Sequence, residues 1–339
     1  MAHNLQTEKG NDVIRQTREA ALGIMLKAML AVSITLLSFQ AQSMADNSIQ
    51  PFVLGFSGES DFSKEVSITK EKLFSAGFDI IGEYSPYDDV KIFVITNNEL
   101  KRTATKSERG GYGAIMRVAI TQVGNNVEVA YTNPVYWASA YRLSSDLDGV
   151  SVKLKKALGE LKTFGNGGKK LTKDDMREYH YTFMMEYFDD PSKLASFKSH
   201  DEALQKIEAE LAAGAGGAHK IYRIDLGKDS EGVQMTLFGV SLKGLSADDC
   251  SGDRYIMSRI DKSSPRHSAH LPYELLVYGS NVEALYARFR IAISWPDLPM
   301  LSSDTGATFM SIMCAPGAIE DALKLVTGQK IDTDEEEEY

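Results

Sequence analysis

"NVEALY", residues 281–286, repeats "NVEVAY", residues 126–131, with two changes. If the two are copies of one unit, their surroundings should match in the same order, and they do. "SGESDFSK" (57–64) aligns with "EYFDDPSK" (186–193), "GFDIIGEY" (77–84) with "AHKIYRID" (218–225), and Ala157-Leu158 with Ala322-Leu323. The offsets grow steadily, through 129, 141, 155 and 165. A duplication followed by loop insertion in the second copy produces that trend.

Each copy reads as strand, helix, three or four strands, helix. The expected class is α+β, with two similar tandem domains, each an antiparallel sheet with helices packed on one face. The hydrophobic share of 43% is enough to fill a core in each. The boundaries fall at 46–163 and 179–330. Between them 164–178, "FGNGGKKLTKDDMRE", is rich in glycine and charge and reads as a linker.

Local signals give the elements. "YHYTFMMEYF" (179–188) alternates Tyr181, Phe183, Met185 and Tyr187 against His180, Thr182, Met184 and Glu186, which predicts a strand. Ser199 stands three residues before Glu202 as a capping box, and Leu204, Ile207 and Leu211 form a helical stripe ending at Gly214. Strands are expected near 218–226 and 233–241.

Each copy then has a hairpin. In the first, Val123-Gly124-Asn125-Asn126 suits a two-residue turn, pairing Val118 with Tyr131 and Ile120 with Val129. In the second, a three-residue loop at Gly279–Asn281 pairs Leu275 with Leu285 and Glu274 with Tyr286, followed by a strand through residue 295. The stretch 245–269 reads as an irregular loop, the kind of segment that often carries function.

The ends differ from the middle. Lys27, the apolar run Ala28–Phe39 and the site Ser43-Met44-Ala45 read as a secretory signal peptide over 1–45, cleaved after Ala45. This twelve-residue run is shorter than the roughly 20 residues that span a bilayer. Cleavage removes four basic and three acidic residues and takes the net charge from −10 to −11. "IDTDEEEEY" (331–339) holds six of the acids and reads as a disordered acidic tail. The remaining charge argues against nucleic acid or an anionic membrane as partner.

"CAPGAIEDAL" (314–323) resembles the motif of the family designated domain of unknown function 302, a Cys-Asn-Pro followed by a helix carrying Ala-Leu. Cys314, Pro316, Ala322 and Leu323 fit; Ala315 stands in place of Asn and Ile319 in place of Ala. The wider pattern resembles uncharacterised exported two-domain bacterial proteins. The resemblance implies an α+β unit that pairs with a second copy of itself, which the tandem repeat would supply within one chain.

Three sets of residues could carry chemistry. Cys314, ahead of a helix start at Pro316, is a reactive thiol, a disulfide partner of Cys250 or a buried thiol. His267 and His270, three apart, and His180 beside Met184 and Met185 would have to converge to hold copper, zinc or haem; solvated histidines and core methionines are the plainer reading. On the expected strand, Tyr286, Arg288 and Arg290 share a face suited to a carboxylate, sulfate or phosphate, unless Glu274 pairs with the arginines. The repeat alignment puts Asn133 and Val135 at the matching places.

Tyr136, Trp137 and Tyr141 would line a pocket or cap a core. "ERGGYGAIMR" (108–117) lacks the lysine and helix start of a phosphate loop and reads as a glycine-eased strand entry. No catalytic triad, carboxylate pair or metalloprotease helix is recognisable, and the reading leans away from an enzyme. The expected function is an exported, periplasmic or secreted, non-catalytic protein that binds a small anionic ligand or a protein at the junction of its copies, without a cofactor. The alternative is a metal- or haem-dependent redox protein using His180, His267, His270 or Cys314.

Overall fold

The β-branched runs of the first half form a ladder. β1 (Phe52–Glu59), β2 (Asp79–Tyr84), β3 (Val90–Thr96), β4 (Met116–Val123), β5 (Asn126–Thr132) and β6 (Lys162–Phe164) make one antiparallel sheet in the order β2-β3-β4-β5-β1-β6. β3, β4 and β5 are buried over most of their length, as strands covered on both faces are. A computed structural model supplies these coordinates and describes residues 47–331. The expected signal peptide, its cleavage site and residues 332–339 of the expected tail lie outside the described residues.

Helix α1 (Phe62–Ser75) follows β1, α2 (Asn98–Ala104) follows β3, and α3 (Pro134–Ala140) and α4 (Asp148–Leu158) follow β5. α1 and α4 contact each other and one face of the sheet. The segment expected as a linker is packed instead. It begins in β6, buries Asn166 and Met176, and contains helix α5 (Lys173–Arg177), capped by Thr172. The Asn166 amide donates to the Lys169 carbonyl at 2.6 Å. These satisfied polar groups explain how a glycine- and lysine-rich stretch lies against a core.

The second half repeats the plan with β7 (Ser192–Ser196), α6 (His200–Ala213), β8 (Ala218–Lys228), β9 (Gln234–Leu242), α7 (Asp253–Ile260), β10 (Tyr273–Tyr278), β11 (Asn281–Ala284), α8 (Ala287–Ala292) and α9 (Ala315–Val326). Its antiparallel order is β7-β11-β10-β9-β8, the mirror in numbering of β2-β3-β4-β5-β1 read from the other end. The described residues belong to one compact unit. The class is α+β, with two antiparallel sheets of like topology.

Three independent markers match the halves. A bulge skips Gly55 in β1 and Leu194 in β7, and a second skips Ile81 in β2 and Ile221 in β8. Asp61 caps α1 through the Lys64 amide at 2.7 Å, and Ser199 caps α6 through the Glu202 amide at 3.1 Å. Counted from these, Asn133 and Tyr286, the residues before α3 and α8, are equivalent. Arg288 and Arg290 therefore answer to Val135 and Trp137, not to Asn133 and Val135.

The turns align differently from the strand bases. Val123 pairs with Asn126, and Tyr278 with Asn281, so both hairpins close with two residues and Asn-Val-Glu follows each turn. The second hairpin is two residues shorter in each arm. The expected first register, Val118 to Tyr131 and Ile120 to Val129, is the one observed. The three-residue loop is not: Gly279, at φ 62°, takes the first central position of a tighter turn, and Leu276 faces Glu283.

Other local expectations change as well. Residues 179–188 form no strand; Met184 has φ 65°, which breaks an extended run, and Phe183 and Met184 are exposed. The strand through residue 295 gives way to α8, because Phe289 and Ile293 lie four apart and fit a helical period as well as their neighbours fit alternation. Ser192-Lys193 is strand where Ser63-Lys64 is helix, so that sequence pairing was out of register. The stretch 245–269 holds α7.

α6 and α9 cover one face of the second sheet. The other faces of the two sheets meet, with β2 against β8 and β4 near β10. Gly239 in β9 serves this layer: a Cβ there would lie 1.9 Å from the ring of Tyr222, which crosses it. Among the described residues no helix is long and apolar enough to cross a membrane.

Candidate functional site

Where the sheets meet, equivalent positions face each other. Arg117 on β4 faces Val94 on β3, and Glu274 on β10 faces Gly239 on β9; the bulges make these pairs equivalent. Arg117 and Glu274 bond to one another, Nη2 to Oε1, and both are buried. Trp137 and Arg290, also equivalent, meet too, the guanidinium lying 5.1 Å from the ring. Residue i touching j while j touches i is the signature of a two-fold interface, here within one chain.

The centre is a closed polar knot. Glu274 also accepts from Arg290 Nε at 3.4 Å, and Arg117 stacks on Trp137 at 5.4 Å. Arg290 Nη2 donates to the His270 carbonyl, and its Nη1 meets His270 Nδ1 at 2.8 Å and Ser294 Oγ at 3.2 Å. His270 Nε2 is 3.2 Å from the Tyr273 hydroxyl. Burial, then the charges of Arg290 and Arg117, drives the His270 pKa well down, so the ring is neutral and accepts from Arg290. Burial would lower the Arg117 pKa, but Glu274 holds it above its ordinary value.

The five residues expected to contact ligand are thereby separated. Arg290 and Trp137 belong to the knot, and the Tyr136 hydroxyl donates to the Ile293 carbonyl at 2.9 Å from a buried position. Arg288 lies on the outside of α8, paired with Glu186 through Nη2 and, at 3.2 Å, Nε, with the Tyr286 ring 4.9 Å away. A helix, not a strand, carries the two arginines, so residues two apart point to different surroundings. Glu274 pairs with Arg290, and Glu186 takes Arg288.

The expected metal ligands also part company. His267 is buried, stacked on Trp295 at 5.1 Å, with Nδ1 3.0 Å from the Ser294 carbonyl; burial takes its pKa down to about 4. His180 is partly exposed, Nδ1 2.8 Å from the Thr182 carbonyl. Among the described residues no group of three or more His, Cys, Asp or Glu is placed to hold a metal. Cys250 and Cys314 form a disulfide, tying the loop before α7 to the start of α9.

The open surface lies at the two ends of the junction. There the long β3–β4 connection of one half, and its β9–β10 counterpart, reach across to a carboxylate in the other. Glu128 accepts from Ser264 Oγ at 2.7 Å and the Arg266 amide at 2.8 Å, while Glu283 accepts from Arg109 Nε at 3.2 Å. These are the glutamates of the two Asn-Val-Glu repeats. A cleft adjoins each clasp.

The first cleft, about 430 Å³, lies between the first sheet and α7. Arg254, Met257, Ser258, Asp261 and Lys262 line it from one helical side, and Tyr87, Asp88, Asp89, Thr121 and Gln122 from the other half. Asp261 is only 4% exposed; Oδ1 accepts the His267 amide at 2.9 Å, and among the described residues Oδ2 has no hydrogen-bond partner of good geometry. Burial pushes its pKa up to about 7 against the pull of that amide, of Arg266 and, more weakly, of the nearby Ser268 hydroxyl. The Tyr87 hydroxyl is raised to about 12, by burial first and then by Asp261. Arg254 and Lys262 enter no ion pair among the described residues.

The second cleft, about 650 Å³, is lined by Arg109, residues 193–196, Tyr278, Asn281, Val282, Glu283 and Gln329. Sequence reasoning missed Asp261, Arg254 and Lys262. The only sequence signal was their 254, 257, 258, 261, 262 spacing, hidden because 245–269 read as a loop. In comparisons with known proteins, no family model, no curated protein and no solved structure matches this chain.

Proposed function

We propose that the protein is an exported, non-catalytic binding protein that takes a small zwitterionic ligand in the cleft between α7 and the first sheet. The observation that carries this reading is the buried Asp261 Oδ2, which has no partner of good geometry among the described residues and calls for a donor. A ligand ammonium or hydroxyl fills that role, and Arg254 and Lys262, which enter no ion pair among the described residues, receive its anionic end. The cleft volume falls in the range of small-molecule sites, and its position at a junction is where such sites gather. The signal-like N-terminal sequence and the Cys250–Cys314 disulfide support export to an oxidising compartment.

The test combines two measurements. Mass spectrometry of protein recovered outside the cytoplasm should give a chain starting at Asp46. Saturation-transfer NMR with a pool of free α-amino acids and dipeptides should find a ligand whose signal Asp261→Asn and Arg254→Gln each abolish. Binders indifferent to both variants, or none in the pool, would overturn the site; an uncleaved chain confined to the cytoplasm would overturn export.

A further inference from the structure

The two halves cover their sheets with matching pairs of helices. α1 packs on α4 over the first sheet, and α6 packs on α9 over the second. The members correspond: α1 and α6 follow the first strand of their half, and α4 and α9 are the last helix of each. Their charges are opposite. α1 and α4 carry six lysines against three acids, whereas α6 and α9 carry six acids against two lysines.

Exposed apolar groups are divided the same way. Phe74 on α1 is 80% exposed and Val152 on α4 64%, while neither α6 nor α9 has an exposed large hydrophobic side chain. Between α1 and α4 runs an open groove of about 680 Å³, with Ile68, Ala76 and Ala157 as its apolar wall and Lys72, Lys153 and Lys156 beside them; Glu71 is the only acid lining it. Phe74 stands three residues after Glu71, and Val152 four before Lys156, so both crown the helices that form the groove. Among the described residues Lys72 and Lys156 enter no ion pair, and Lys153 pairs only with Glu99, at 3.4 Å.

An exposed aromatic among unpaired lysines is the make-up of a face that lies on an anionic bilayer: apolar side chains enter the acyl boundary and ammonium groups meet the lipid phosphates. We propose that the α1–α4 face docks on the surface of a membrane rich in anionic lipid. A second copy of this chain could match the lysines with its acidic α6–α9 face, but that face offers Phe74 and Val152 no apolar partner. The acidic charge of the chain as a whole does not oppose the docking. Two stacked sheets, about 10 Å apart, separate the acidic layer from the basic one, which is farther than the Debye length of about 8 Å. The junction clefts stay open, because the face lies on the side of the first sheet away from the second. Docking in this way requires no ligand in the first cleft.

Vesicle flotation at low salt tests the proposal, with the full chain and vesicles of phosphatidylcholine and phosphatidylglycerol in equal parts. The apolar run 28–39 is common to wild type and variants, so a difference between them reports the face alone. Lys72→Gln should weaken binding about fivefold, and Lys72→Gln, Lys153→Gln and Lys156→Gln together about a hundredfold. In Phe74→Trp the fluorescence emission should move to the blue when these vesicles are added and stay in place with phosphatidylcholine alone. All four side chains are exposed, so the variants should fold. Absence of flotation, or equal flotation of wild type and the triple variant, would overturn the proposal, and so would an unchanged emission. If the lysine changes instead abolish a concentration-dependent assembly of the protein in sedimentation without vesicles, the face belongs to a second copy and the idea fails.

Discussion

The two halves share a strand order, two bulges and a capped helix after the first strand, yet at their meeting point they are opposites. The first half offers Arg117 and Trp137 where the second offers Glu274 and Arg290. A dimer of identical units would set arginine against arginine, or glutamate against glutamate, at such a contact. One chain with two copies can place unlike residues at equivalent positions, and a repulsive contact becomes an ion pair. The surplus positive charge is then held by carbonyls, Ser294 and a neutral His270.

The comparison breaks most visibly at Glu274. Glu274→Gln leaves two buried guanidiniums uncompensated, and urea unfolding should show a loss of about 3–5 kcal/mol. Arg117→Met with Glu274→Leu should cost less than the sum of the single changes. Simple additivity would mean that the two positions do not act as a pair. Arg290, in the same knot, should be far more sensitive than Arg288, whose partly exposed pair with Glu186 is worth about 1 kcal/mol.

The connection after the third strand is the next difference. It runs over 97–115 in the first half and over 243–272 in the second, where the disulfide clamps it to α9. Replacing both cysteines by serine should lower stability by roughly 2–4 kcal/mol, given the 64-residue separation. Exchange in α7 should rise while α2, its unclamped counterpart, stays unchanged. Equal change in both would show that the clamp acts on the whole unit.

Asp261 sharpens the contrast through pH. Its folded pKa, about 7, lies above the ordinary carboxylate value, so the native state holds its proton longer than the unfolded chain does. The stability it contributes is present at pH 4 and lost as pH rises to 7. His267 and His270, depressed by burial, act in the opposite sense, losing stability as pH falls below about 6.5. Wild-type stability should therefore vary little across this window. Asp261→Asn should gain on wild type by about 1.4 kcal/mol per pH unit from pH 4.5 to 7 in denaturant titrations. A constant difference would place the raised carboxyl elsewhere, Asp253 being the other buried candidate at about 7.

The smallest expected effect tests the equivalence itself. Asp61→Ala and Ser199→Ala remove matching caps, and each should cost about 1 kcal/mol in thermal or urea unfolding. A cost several-fold larger in one half would show that the shared cap no longer has a shared role.

What the sequence determined by itself was local. Ser199 with its helix to Gly214, the first hairpin's register, the antiparallel α+β plan and the existence of a repeat all follow from rules that act over a few residues: a side chain capping its own helix, a glycine turn, alternation along a strand. Those rules failed where two periods fit the same letters, as in 287–292, and where a single positive φ at Met184 broke an apparent strand. Tertiary structure decided which of two arginines two residues apart is buried, which glutamate each meets, and whether the paired cysteines touch. It also decided that Asp261, in a stretch read as loop, faces a cleft. Those outcomes depend on partners supplied from far along the chain, Glu274 for Arg117 and Arg266 for Glu128. Burial and charge compensation are properties of the assembled pair of sheets, and a local pattern contains no record of them.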